Sequence, residues 1–320
     1  MAVKSSASSK FSFVKRKKIA VLMGGIGRER DISIQSGNSV GAALKEAGLK
    51  VVSSDIQPDN MKILDDESID VFFLALHGKF GEDGQLQQVL EDKSLIYTGS
   101  GSEASRLAFD KMAGKKAFIK AGIGTPSAVV FNGDADANLM EKQLREFGDR
   151  YVIKPIRQGS SVGVSIVDSP QKAIAAGRNV LKEFSDCMVE KFIAGRELTV
   201  GVLCGEALPI IEIRPKSGFY DYHAKYIDEQ TEFLFDTITD AALTQRIQKT
   251  ALDCFDALGC RHIARVDLIL GDDGKLYVLE VNTIPGFTTH SLLPKAAAKS
   301  GLSMSELCVK IIEAALKDKK

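Results

Sequence analysis

Two carboxylates, an amide and a guanidinium crowd together late in the chain. The run Ala264-Arg265-Val266-Asp267-Leu268-Ile269-Leu270 is followed by Gly271-Asp272-Asp273-Gly274 and then by Lys275-Leu276-Tyr277-Val278-Leu279-Glu280-Val281-Asn282. Two alternating stretches around a short polar loop read as a β-hairpin. With Leu270 facing Lys275, Arg265 lies opposite Glu280 and Asp267 is a diagonal step away. Asn282 shares their face, because strand side chains alternate with a period of two. The other face carries Ala264, Val266, Leu268, Leu270, Tyr277, Leu279 and Val281 and belongs to the core. Asp267, Glu280 and Asn282 are hard oxygen donors suited to a divalent cation, and magnesium usually draws its remaining ligands from phosphates. The hairpin alone also allows a plainer reading, an exposed sheet face with a salt bridge between Arg265 and Glu280.

A phosphate-binding candidate lies upstream. Tyr151-Val152-Ile153-Lys154-Pro155 reads as a strand ending in lysine, and Gly159-Ser160-Ser161-Val162-Gly163-Val164 as a turn of small residues. Backbone amides of such a turn can wrap a phosphate, with Lys154 as a fixed positive charge. An ordinary Gly/Ser hairpin turn is the alternative. The spacing is neither a Walker A loop nor a dinucleotide fingerprint.

Elements that must position these groups follow from the hydrophobic pattern. Residues 18–23 read as a buried strand ending at Gly24-Gly25, 31–47 as a helix stopped by Gly48, and 51–54 as a second strand. Residues 71–76 give another strand, ending at His77-Gly78, and 84–90 begin the next helix. This alternation points to a parallel sheet whose ligands gather beyond the carboxyl ends of its strands. From about Gly99 the pattern changes to a helix over 102–120, short strands at 128–131, 151–154 and 162–167, a helix over 170–184 and a strand at 188–192. The last third has strands at 198–203 and 208–214, an irregular stretch over 217–236, a helix over 241–258, the hairpin, and a closing helix over 303–317.

Composition narrows the function classes. The 320 residues carry 42 Lys plus Arg against 42 Asp plus Glu, with 44% hydrophobic residues and no Trp, which is ordinary globular usage and enough chain for two or three domains. The best apolar run, 71–76, is far short of the roughly 18 residues needed to span a bilayer, so no membrane span is expected. Six basic side chains and no acid fall in the first 18 residues, leaving 36 basic against 42 acidic, a net −6, in the remainder. A basic face for nucleic acid is therefore not indicated. The N-terminal segment lacks the continuous apolar stretch of a secretory signal and reads as a disordered extension, with an organellar presequence as the rival. Five cysteines, an odd number with no Cys-x-x-Cys pair, support neither a disulfide framework nor a structural zinc site. They read as buried free thiols, as a reducing cytoplasm would keep them.

Five strings in order carry a resemblance. They are Leu76-His77-Gly78-Lys79-Phe80-Gly81-Glu82-Asp83-Gly84, Tyr97-Thr98-Gly99-Ser100-Gly101, the segment 154–163, Phe219-Tyr220-Asp221-Tyr222-His223-Ala224-Lys225-Tyr226, and Glu280-Val281-Asn282-Thr283-Ile284-Pro285-Gly286-Phe287-Thr288-Thr289-His290-Ser291-Leu292. In this set the chain resembles the D-alanine:D-alanine ligases of the ATP-grasp superfamily, over about residues 18–316. The resemblance implies a mixed α/β and α+β chain, an ATP-grasp fold preceded by a Rossmann-like parallel-sheet N-terminal domain. Its parts would be a disordered basic tail (1–18), an N-terminal α/β substrate-binding domain (19–99), a central ATP-grasp subdomain (100–190) and a C-terminal catalytic subdomain (191–320).

The same resemblance implies a cytoplasmic enzyme of peptidoglycan precursor synthesis, a homodimer by family analogy. ATP would phosphorylate the carboxylate of one D-alanine, and the amine of a second would attack the acyl phosphate. Lys111 and Lys154 would neutralise the nucleotide phosphates, Glu190, Lys191, Phe192 and Ile193 would form the segment that holds adenine, and Glu197 would reach the ribose. Asp267, Glu280 and Asn282 would bind two magnesium ions, with manganese as a substitute. Arg265 and the backbone amide of Gly286 would face the oxyanion. Glu29 would receive the ammonium of the first D-alanine, although a helix-start acid is the plainer reading of that position. His77 would lie near the first carboxyl group; His223, His262 and His290 receive no role. Ser160 and Tyr226 would join Glu29 in a hydrogen-bonded trio, with Lys225, Ser291 and Leu292 around the second substrate. Tyr226 favours the dipeptide over a D-alanyl ester, and 217–236 would be a lid. Phe192 and Ile284 depart from a family that often has Trp and Ser there. Two other readings stand beside this one: a related ligase taking D-serine or D-lactate as second substrate, and a nucleotide-binding homologue without catalysis.

Overall fold

The computed structural model describes residues 14–133, 137–215 and 231–318. Its first unit is built on the apolar run after Lys17. Strand β1 (Lys18–Gly24) is flanked by β2 (Lys50–Ile56) and β3 (Val71–Leu74) in a parallel sheet ordered β2-β1-β3. β1 and β3 are buried on both faces, which is why they read as continuous apolar runs rather than alternating ones. Helix α1 (Arg30–Glu46) follows β1, and α2 (Gln85–Asp92) follows β3. The parallel sheet expected from the strand and helix alternation is present. Residues 14–18, read as part of the tail, are ordered: 14–16 form a single 3-10 turn, Val14 is fully buried, and Lys17 and Lys18 pair with Asp70 at 2.7 Å and Asp66 at 3.0 Å. Apolar Val14 and the two acids hold this stretch where charge alone would have left it in solvent.

The helix expected over 102–120 is two helices, α3 (Ser102–Phe109) and α4 (Lys111–Lys120). Asp110 breaks them: its backbone is extended and its side chain caps α4 by accepting the Ala113 amide at 2.9 Å. Then come β4 (Ala128–Val130), α5 (Ala137–Arg145), β5 (Tyr151–Lys154), β6 (Ser165–Val167), α6 (Pro170–Phe184) and β7 (Met188–Lys191). The strands form one antiparallel sheet ordered β4-β7-β5-β6. Helix α5, absent from the sequence reading, buries Met140 and Leu144 against Tyr151, Ile153 and Ile174.

The last unit contains β8 (Gly195–Leu203), β9 (Glu206–Ala207), β10 (Ile211–Arg214), β11 (Glu232–Leu234), α7 (Ala241–Ala257), β12 (Ile263–Gly271), β13 (Leu276–Asn282), α8 (Leu292–Lys299) and α9 (Met304–Lys317). Its strands make an antiparallel sheet ordered β11-β10-β8-β12-β13, with β9 added to β8. One apolar cluster joins α4 and α7 to this sheet through Phe118, Ile247, Phe255 and Val266. Another joins it to α8, α9 and the parallel sheet through Ile263, Leu293, Ile311 and Val21. Four cysteines are buried, as expected, but Cys204 is exposed because it sits in the tight β8–β9 turn with φ +52°. Among the described residues no helix is long and apolar enough to cross a membrane.

The break at Asp110 matters because it begins the helix that carries Lys111. Removing a side-chain cap typically costs about 1 kcal/mol, and Asp110 also pairs with Arg157 at 2.7 Å. Asp110→Ala is expected to lower the urea midpoint by an amount equivalent to about 1–2 kcal/mol. An unchanged midpoint would show that the break is fixed by packing instead.

Candidate active site

The carboxyl ends of β1 and β3 supply the first part of the site. Glu29 stands at the start of α1 but makes no capping hydrogen bond, so the helix-start reading does not account for its side chain. It is 7% exposed, and the Ser160 hydroxyl donates to its Oε1 at 2.5 Å across 131 residues of chain. A Cβ on Gly78 would come 2.3 Å from Glu29 Oε2, and one on Gly159 would come 2.8 Å from Oε1. Only glycine permits so close an approach at both places, and Gly78 also has φ +70°. Ser160 and Ser161 are held at φ +55° and +54°, a region serine seldom occupies, so the turn that covers Glu29 is strained.

His77 is buried behind this acid. Its Nδ1 donates to the Ile284 carbonyl at 3.1 Å and its Nε2 accepts from the Ser36 hydroxyl at 2.9 Å, an arrangement that needs the neutral ring. Burial pulls its pKa down to about 4. Glu82, to which the sequence reading gave no role, accepts the Gly78 amide at 2.6 Å. Burial, reinforced by the Glu29 charge, pushes its pKa up to about 8. Its signal was the Gly81-Glu82-Asp83-Gly84 string, quoted above for the resemblance alone.

The hairpin of β12 and β13 has a different register from the one expected. Leu270 faces Leu276, Ile269 faces Tyr277 and Leu268 faces Val278, but Asp267 then faces Glu280 and Arg265 faces Asn282. Leu279 is the extra residue of a β-bulge. The bulge turns Leu279 out of the core, where the sequence reading had put it, and Val278 is buried there with Val281. Arg265 therefore pairs with Asp267, its Nε and Nη2 donating to the two oxygens at 2.9 and 2.8 Å. Asp267 also accepts from the Thr199 hydroxyl at 2.6 Å and the Asn282 amide at 3.1 Å. Glu280 pairs instead with Lys111 of α4 at 3.0 Å.

Lys111 also donates to the Gln158 carbonyl at 2.7 Å, which ties α4 to the small-residue turn. Lys154 ends β5 and pairs with Glu190 Oε2 at 2.6 Å, while Lys115 pairs with Glu190 Oε1. All three are at least 93% buried. Burial alone would raise the Glu190 pKa, but Lys154 and Lys115 overcome it and keep the carboxylate ionised. Burial draws Lys115 down to about 8, which leaves it charged at neutral pH. Lys115 is a second residue that sequence reasoning missed, since one more lysine in a basic helix carries no signal.

Two adjoining cavities collect these groups. The first, of about 190 Å³, is lined by Lys111, Lys154, the segment 190–193, Glu197 and Asp267. The second is lined by Glu29, His77, Ser160, Arg265, Asn282 and Gly286, with Ser291 and Leu292 at its edge and Glu82 in its wall. Glu280 lines both. Every expected site residue within the described residues is therefore brought to one of two spaces that share Glu280; Lys225 and Tyr226 lie outside the described residues. Among the described residues no group of three His, Cys, Asp or Glu side chains could hold a metal unaided. Asp267, Glu280 and the Asn282 carbonyl do fit a hard cation that arrives with phosphate oxygens to complete its shell. Phe192 lines the first cavity, with the Arg150 guanidinium 3.8 Å from its ring centroid.

Comparison with known proteins gives the family. The family model described as D-ala D-ala ligase C-terminus matches residues 118–313, and that described as D-ala D-ala ligase N-terminus matches residues 57–100. A D-alanine–D-alanine ligase of Syntrophotalea carbinolica is 44% identical over 303 residues, covering 94% of this chain and 97% of its own. The crystal structure of a D-alanine–D-alanine ligase from Bacillus anthracis complexed with ATP superimposes with a TM-score of 0.83 at 36% identity, covering 95% of this chain and 98% of its own. A VanG D-Ala:D-Ser ligase from Enterococcus faecalis gives 0.80 at 30% identity, covering 93% and 99%.

Neutral His77 makes stability depend on acid. Its folded pKa of about 4 lies below the ordinary 6.5, so the unfolded chain takes the proton first. The stability it contributes is complete above pH 6.5 and is lost progressively as pH falls toward 4. Urea unfolding at pH 7.5 and 5.0 should show a loss at the lower pH that is about 2 kcal/mol larger in the parent than in His77→Gln. Equal losses would mean that the ring is charged when folded.

Proposed function

The chain belongs to the D-alanine–D-alanine ligase family, and from that premise we infer an ATP-dependent ligase that joins two D-alanine molecules into D-alanyl-D-alanine for the peptidoglycan precursor. The observation that carries the mechanism is the sharing of Glu280 by both cavities, which gives nucleotide and amino acid a common wall.

A carboxylate oxygen of the first D-alanine attacks the γ-phosphorus, forming one O–P bond as the bond to the ADP oxygen breaks. The amine of the second D-alanine then attacks the acyl carbon, and phosphate leaves with the former carboxylate oxygen as the amine proton is lost. No protein nucleophile is needed, so the side chains act by position and charge. Lys111 and Lys154 face the phosphates, residues 190–193 and Phe192 in particular flank the base, and Glu197 reaches the ribose. Asp267, Glu280 and Asn282 would hold two magnesium ions, whose chemistry is to neutralise phosphate charge. Glu29, fixed by Ser160, receives the ammonium of the first D-alanine, and His77 offers an uncharged wall beside its carboxyl group. Arg265, aligned by its two-point pair with Asp267, and the Gly286 amide face the oxyanion. Ser291 and Leu292 border the second substrate. The parts assigned to Lys225 and Tyr226 rest on the resemblance alone.

The domain division at about residues 99 and 190 is proposed with this mechanism, supported by the three separate sheets. A cytoplasmic location is supported by five free cysteines. A homodimer is supported by family likeness only.

Phosphate release on D-alanine and ATP, with the product identified by mass, tests the reaction. One phosphate per dipeptide is expected; turnover only when D-serine or D-lactate is added would replace this reading with that of a mixed ligase. Arg265→Ala is expected to lower kcat at least 100-fold, as loss of about 3 kcal/mol of oxyanion stabilisation implies, while ATP still binds. Unchanged turnover would remove Arg265 from the chemistry.

A further inference from the structure

Lys154 presents a problem of charge. It faces the first cavity, yet its ammonium lies 2.6 Å from Glu190 Oε2, and an isolated Lys–Glu pair is neutral. A neutral pair offers little to a polyphosphate. The structure places a second lysine on the far oxygen of the same carboxylate. Lys115 is 3% exposed and takes no part in lining either cavity described above. Besides this ion pair with Glu190 Oε1, its ammonium donates to the Thr125 hydroxyl at 2.7 Å and the Pro126 carbonyl at 2.9 Å.

We propose that Lys115 is a positioning residue for the nucleotide, which takes up the charge of Glu190 from behind so that Lys154 keeps a net positive charge toward the cavity. The buried trio carries two positive charges and one negative, a surplus of one. Lys115 lies one helical turn after Lys111, so α4 brings one lysine into the cavity and a second beneath it. The same ammonium is linked to the catalytic hairpin. Thr125 Oγ1 donates to the Val278 carbonyl at 2.7 Å, and the Val278 amide donates to Gly124 at 2.8 Å. Val278 immediately precedes the bulged Leu279, which lines the nucleotide cavity. Lys115 thus sets both the charge on Lys154 and the seat of one cavity wall.

The inference rests on the ligase reading for the identity of the nucleotide, but its test reads ATP binding and not ligation. Lys115→Met removes the surplus charge, leaving Lys154 and Glu190 as a neutral pair. ATP affinity measured by isothermal titration calorimetry should fall at least tenfold, while the KM for D-alanine stays within about twofold. The double variant Lys115→Met with Glu190→Gln leaves Lys154 as the one charge of the trio, and should recover at least threefold of the lost affinity. Packing alone predicts the reverse order, since the double variant changes more of the buried core. ATP affinity within twofold of the parent in Lys115→Met, or a double variant as weak as the single one, would overturn the proposal. Should Lys115→Met not fold, Lys115→Gln makes the same comparison, because its amide can still donate to Pro126 without carrying charge. Failure of the parent to ligate D-alanine would instead count against the ligase reading, and would leave these binding measurements intact.

Discussion

On the function proposed above, the first cavity must offer a polyphosphate positive charge that the protein has not already cancelled, and it must also hold carboxylates a few ångströms away. The side chains meet both demands by sharing. Glu280 is held by Lys111, Asp267 by Arg265, Thr199 and Asn282, and Glu190 by two lysines at once. Removing one partner from such a buried set usually costs about 3–5 kcal/mol, because the other charge remains in a poorly solvating interior. The site is therefore part of the structure's stability as well as of its chemistry. Its geometry is rigid because each group is bonded to the next.

Much of this was legible in the chain. β1 and β3 announce themselves as apolar runs, their glycine turns mark the ends where ligands gather, and the hairpin's alternating pattern puts acids and core residues on opposite faces. Residues 190–193 and Glu197 came from the resemblance, and the structure sets them along one cavity. What was not legible is non-local. Lys115 is one of four lysines in α4, and nothing in the helix says that a carboxylate 75 positions later will meet it. The break at Asp110 was hidden because both halves of 102–120 have helical composition, and a single capping side chain decides between one helix and two. Helix α5 was passed over because only Met140 and Leu144 give it an apolar face.

The N-terminal sheet and the central unit contribute to the second cavity from opposite sides. Glu29 comes from the end of β1 and Ser160 from the turn after β5, and their hydrogen bond closes a loop of more than a hundred residues. Arg28 repeats the connection at the surface, pairing with Glu183 at 2.7 Å and lying 5.6 Å from the Phe184 ring. The second cavity is thus assembled from two units, and neither alone contains it. The two glycines against Glu29, Gly78 and Gly159, come one from each.

The extra residue at Leu279 has a consequence for how the gene tolerates change. Up to Val278 the strand keeps one phase of its inward and outward rhythm; past the bulge it keeps the other. Glu280 and Asn282 reach the cavity side because of that half-step. Loss of the Leu279 codon would remove the bulge and leave Val278 opposite Leu268 and Glu280 opposite Asp267 in one unbroken rhythm, so both polar groups would keep their face while the first cavity lost its leucine. The ribbon can therefore shorten by this one residue without inverting a face, and what it would lose is a piece of cavity wall.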